Sequence, residues 1–161
     1  MSDDEPPEAS PARIVADADV LAADLLVGGA AREALDQIRR HGWLELVASD
    51  PLLDDAVAVI TELADEQLAA DWRAKITAER VAVSHPEGDH PALASAYRGG
   101  AAHLLTFDEG LTSAAANRSL QEHMALSIRT PDAFATLFDP ASLYESLHDD
   151  AYPGPDRDPR E

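Results

Sequence analysis

The chemistry of this chain is carried by aspartates placed after short apolar runs. In GDHPALASAYRGGAAHLLTFDEGL, residues 88–111, Asp89 stands where a helix N-cap belongs, with Pro91 inside the first turn. Leu93, Ala96 and Tyr97 recur at helical spacing, and Gly99 and Gly100 end that helix. His103-Leu104-Leu105-Thr106 is too brief for a helix and reads as a buried parallel strand, with Asp108 just past its end. Far upstream, Ile14-Val15-Ala16 reads as another buried strand that ends at Asp17. Ligands of open α/β sheets collect outside the carboxyl ends of the strands. Asp17 and Asp108 therefore project toward a crevice, and the helix start at Asp89 can lie close to it. Carboxylates crowded together raise one another's pKa, so such a site is expected to be built around a hard cation.

The elements that must hold these acids alternate. After the first strand a helix begins near Asp19, with Val20, Leu21 and Leu25 facing inward, and Gly28-Gly29 breaks it. A second helix runs from about Ala30 to His41 over Leu35 and Ile38, and residues 43–47 read as the next strand. Ser49, Asp50 and Pro51 start a long helix with Leu53, Val57, Ile60 and Leu63 on one face. A further helix covers about Leu68 to Arg80, and residues 81–83 read either as a short strand or as an extended connection. Past Asp108 the pattern gives a helix from about Leu111 to Met124 and a strand over residues 126–128. Thr130-Pro131 and Asp139-Pro140 then each open a helix. Strands alternating with helices imply an α/β protein, with a central parallel sheet covered on both faces in three layers. Residues 1–12 are acidic and Pro-rich and are expected to be a disordered tail, as are residues 149–161; one domain over residues 13–148 lies between them.

Composition excludes several classes. The chain has 161 residues and no cysteine, so disulfides, thiolate metal sites and cysteine nucleophiles are ruled out. The N-terminus is acidic rather than basic then apolar, and no apolar stretch approaches the roughly 20 residues of a membrane span, so the expected location is cytoplasmic. Net charge is -19, and Lys75 is the only lysine among 12 basic residues. Such a chain repels nucleic acid at ordinary salt, but at ~1 M the screening length is only about 3 Å. Acid excess with lysine depletion is the surface expected of a protein from a halophile.

The segment from Asp89 through the glycine turn to LLTFD resembles the third and fourth acidic motifs of PIN-domain ribonucleases, the group that contains VapC-type toxins. IVADADVL is similar to the family's first motif and places its first acid at Asp17, with Asp19 in the family's Asn/Ser position. ASDPLLDDAVAVI puts the second acid at Asp55, beside Asp54, where the family has a glutamate. LSIRTPDAF is similar to the closing strand and helix start, so the resemblance spans most of residues 13–138. It implies a PIN-like three-layer fold and an endoribonuclease using Mg²⁺ or Mn²⁺. Asp17, Asp55, Asp89 and Asp108 would form the catalytic set, with Asp17, Asp108 and Asp89 on the metal and Thr106, Asp19 and Asp54 in support. It also implies an RNA substrate, a homodimer and, for a toxin, a small antitoxin protein as partner.

Other readings compete. Asp89 alone is an ordinary helix cap, and Asp54 and Asp55 alone are solvated first-turn acids that favour the helix dipole. His90 and His103 lack metal-ligand spacing and read as structural. DADVL approximates the nucleophile motif of haloacid-dehalogenase-like phosphatases. That chemistry needs a lysine late in the sheet, whereas Lys75 precedes the LLTFD strand. The third reading is a PIN-fold scaffold without activity, binding RNA or a protein partner, because the aspartate at position 55 is one methylene shorter than the family's glutamate.

Overall fold

The computed structural model of the chain describes residues 10–83, 91–112 and 126–157. Its centre is a five-stranded, all-parallel sheet of order β3-β2-β1-β4-β5, flanked by helices in a three-layer α/β/α arrangement. The strands are β1 (Ser10–Ala16), β2 (Glu45–Ser49), β3 (Val81–Val83), β4 (Ala101–Leu105) and β5 (Ser127–Arg129). Crossover helices α1 (Ala18–Leu26) and α2 (Gly29–Arg39) join β1 to β2, and α3 (Asp50–Leu63) and α4 (Glu66–Glu79) join β2 to β3. Then α5 (Pro91–Gly99) precedes β4, and α6 (Glu109–Thr112) follows it. After β5 come α7 (Pro131–Leu137) and α8 (Pro140–His148).

The central strands β1 and β4 are covered on both faces, which is why they read as continuous apolar runs rather than as an alternation. Ile14, Val15, Ala16, Leu104 and Leu105 are all fully buried. They meet in register, Ile14 beside His103, Val15 beside Leu104 and Ala16 beside Leu105. The order of the strands makes a reversal between β1 and β4. From β1 the chain builds outward through β2 and β3, then returns to the other side of β1 to lay down β4 and β5.

Side chains fix where the helices start. Ser49 caps α3 by accepting from the Leu52 amide at 3.3 Å, with Pro51 in the first turn. Thr130 and Asp139, each followed by proline, cap α7 and α8 in the same way. Buried Ser95 of α5 donates its hydroxyl to Ser49 Oγ at 3.0 Å, tying α5 to the end of β2. That helix lies close to the sheet because its inner positions are small. A Cβ added at Gly99 would stand 2.3 Å from Val47 Cγ1 and 3.1 Å from Val83 Cγ1.

Several elements depart from the sequence expectation. β1 begins at Ser10, inside the segment expected to be a tail, because the Ser10 amide donates to the Gly100 carbonyl at 2.8 Å. β2 starts at Glu45 rather than at residue 43. Leu44 closes a turn onto the His41 carbonyl at 3.1 Å, and the Trp43 ring packs edge-on against His41, Tyr144 and His148. The C-terminal segment was expected to be disordered, yet residues 149–157 pack back on the corner between α2 and β2. Asp156 accepts from the Gly42 amide at 2.7 Å, the Asp156 and Arg157 amides donate to the Arg40 carbonyl, and the Arg157 side chain donates to the His41 carbonyl. The Tyr152 hydroxyl meets His41 Nε2, whose ring is buried. Most of the helix expected over residues 111–124 lies outside the described residues.

His103, on β4, carries a pH signature. Burial, and then the nearby Arg129 charge, hold its imidazole below the ordinary histidine pKa. The unfolded chain takes up the proton as pH falls through about 6.5, and the native state does so only at lower pH. The stability that His103 contributes is therefore present above that value and is lost as pH drops below it. Denaturant midpoints between pH 7.5 and 5.5 should fall more steeply in the wild type than in His103→Leu; equal slopes would contradict this account.

Candidate functional site

Strand order reverses between β1 and β4, and the carboxyl ends of two strands so related are where doubly wound sheets form their ligand crevice. Asp17 leaves β1 there and Thr106-Phe107-Asp108 leaves β4. The strand ladder runs to the rim, since the Asp17 amide donates to the Leu105 carbonyl at 2.8 Å. Asp17 also opens α1, with Oδ1 accepting from the Ala18 amide at 2.8 Å. Its other oxygen, Oδ2, accepts from the Thr106 hydroxyl at 2.9 Å. Thr106 is fully buried, and its Oγ1 accepts in turn from the Asp108 amide at 3.0 Å. One hydroxyl thus ties the Asp17 carboxylate to the backbone at Asp108.

Asp19 joins from the first turn of α1. Its Oδ2 accepts from the Phe107 amide at 3.2 Å, whereas Oδ1 is buried without a hydrogen-bond partner among the described residues. Burial first, and then the Asp17 charge, raise its pKa above the usual aspartate value. The Phe107 and Val20 amides work against that rise, and Asp108 adds to it. Three acids therefore share one electrostatic neighbourhood at the crevice, and one carboxylate oxygen there lacks a partner. Asp108 itself is exposed, and its Oδ1 accepts from the Gly110 amide at 2.8 Å.

Asp54 and Asp55 take no part in these hydrogen bonds. Asp54 is exposed on α3 and pairs with Arg73 of α4 at 2.5 Å, while Asp50 pairs with Arg73 at 3.3 Å and with Arg80 at 2.6 Å. Asp55 is exposed on the same helix and has no hydrogen bond to Asp17, Asp19 or Asp108. Asp89 and His90 lie outside the described residues. Among the described residues no three carboxylate or imidazole groups converge closely enough to enclose an ion. The donor chemistry of the crevice nonetheless fits a hard cation. All of its side-chain groups are oxygens, and the Asp19 Oδ1 without a partner is an open ligand position.

Sequence reading missed a second polar cluster. Asp24 of α1 and Asp36 of α2 are both buried, and Arg39 bonds both. The guanidinium engages both Asp24 oxygens, one of them through Nη1 at 2.8 Å, and reaches Asp36 Oδ1 at 3.1 Å. Burial works against the Arg39 charge, but the two carboxylates more than offset it and raise its pKa above that of free arginine. Arg39, Asp24 and Lys75 line a cleft of about 420 Å³ that also holds Trp72 and Ile76. The only sequence signal for this cluster was a pair of acids on helix positions that face inward.

Fold and crevice together define the class: an α/β/α protein with a carboxylate cluster where the strand order of a parallel sheet reverses. Residues 8–160 match a family of unknown function, DUF7384, and the chain belongs to that family. No curated protein matches it. Among the described residues, no helix is long and apolar enough to cross a membrane.

Proposed function

We propose that this protein is a ribonuclease of the PIN type that depends on a divalent metal, with its site at the β1–β4 crevice. The reading rests on one observation: the Thr106 hydroxyl joins the strand-end acids Asp17 and Asp108 across the line where strand order reverses. Mg²⁺ or Mn²⁺, when bound, supplies a Lewis acid and lowers the pKa of a coordinated water. Asp17 and Asp108 would hold the ion, with the free oxygen of Asp19 as a third donor. Asp89 fills the remaining acidic position of the family pattern. Thr106 holds the Asp17 carboxylate and the Asp108 backbone, and Asp55 would be a weaker or water-mediated ligand. As in the family it resembles, the protein would form a homodimer and, if a toxin, bind a small antitoxin.

A divalent-ion titration of the folded protein at molar KCl, followed by RNA cleavage in the same buffer, tests this reading. Saturable binding and cleavage that needs the metal support it; an absence of both removes it. In that second case the scaffold reading takes over. The phosphatase reading is weaker, because Lys75 lines the cleft beside Arg39 rather than joining Asp17 at the crevice.

A further inference from the structure

We infer that Phe107 is a platform on which an unpaired base of single-stranded RNA stacks beside the carboxylates. The inference rests on the nuclease reading for its substrate. Phe107 is 43% exposed between fully buried Thr106 and Asp108, and it takes no part in the apolar core. Among the described residues its ring meets no other ring, whereas Phe134 and Phe138 stack on each other. Its backbone is nevertheless fixed. The Phe107 amide is bonded to Asp19, and the residues on either side are bonded to each other through Thr106 Oγ1 and the Asp108 amide. The chain thus leaves a large apolar ring partly exposed, on a hydrogen-bonded backbone, within one residue of two proposed site groups.

The charge of the protein explains what such a ring can do. At -19 the surface gives phosphates no general attraction, and molar salt would screen that attraction in any case. Base–aromatic stacking is not a charge interaction, so it survives those conditions, and it contributes about ten- to a hundredfold in affinity per base. It requires an exposed base face, which a duplex does not offer.

The probe is a short single-stranded RNA with phosphorothioate linkages and one 2-aminopurine, bound at molar KCl with Mn²⁺. Wild type should bind it and quench the 2-aminopurine. Phe107→Ala should lose the quenching and about ten- to a hundredfold of affinity, Phe107→Trp should restore both, and the matching duplex should bind more weakly. Equal affinity in Phe107→Ala, full activity of Phe107→Leu in both readouts, or no binding by wild type would each overturn the inference. Cleavage of unmodified RNA in parallel separates the two readings. Metal-dependent cleavage with unchanged binding in Phe107→Ala removes only the stacking role. Phe107-dependent quenching without any cleavage removes only the nuclease.

Discussion

Asp17→Asn and Asp108→Asn are each expected to lower metal-dependent RNA cleavage by at least about a hundredfold while the protein stays folded. Loss of a group that merely orients a metal ligand already costs about 10–100-fold, and a ligand itself should cost no less. Asparagine is nearly isosteric and keeps the backbone bonds that shape the crevice, while at position 17 its NH₂ must donate to Thr106 Oγ1 where the carboxylate accepted. Its carbonyl still accepts from the Ala18 amide at position 17, or from the Gly110 amide at position 108. What disappears is one negative charge in a neighbourhood where Asp19 is already pushed toward its neutral form. Either substitution should therefore leave stability equal or higher. Cleavage rates and denaturant midpoints, measured together in molar KCl, check both halves of the expectation. Cleavage retained in both variants would show that the β1–β4 crevice is not the site.

Arg39→Met should destabilise the protein by about 3–5 kcal/mol, the range seen when one partner of a buried ion pair is removed. The loss comes from the two buried carboxylates left behind, Asp24 and Asp36, rather than from the pair itself. A compensated double variant, Arg39→Met with Asp24→Leu, should recover much of that stability, because well-packed apolar groups often replace a buried pair at little cost. Urea unfolding of the three proteins at one salt concentration measures the difference. A loss below about 1 kcal/mol in Arg39→Met would place the cluster with ordinary surface pairs.

What could be read in advance follows from how local each signal is. The doubly buried strands at Ile14 and Leu104 were legible because covering both faces of a strand leaves a continuous apolar run. The caps at Ser49, Thr130 and Asp139 were legible because a capping side chain acts within three residues. Thr106 was legible as a supporting residue from its place before the acidic exit of β4, but its bond to Asp17, 89 residues away, was not. The packing of residues 149–157 was not legible. It depends on Asp156 and Tyr152 finding Gly42 and His41 more than a hundred residues away, and no local pattern reports such a contact. Asp24 and Asp36 were hidden for the same reason, because their burial makes sense only once Arg39 is brought between them. Asp54 was read as a site neighbour from its place in a motif, and its long-range pairing with Arg73 of α4 was not legible there.

The strand order also sets a timetable for synthesis. Thr106, which secures Asp17 at the end of β1, is made 89 residues after it. At about 5–20 residues per second, Asp17 waits several seconds for that partner. A nascent chain can build β1, β2 and β3 side by side in the meantime, and these carry only the Asp17 half of the crevice. Under the nuclease reading, the groups that would cut RNA are thus kept apart on the ribosome until β4 has been made.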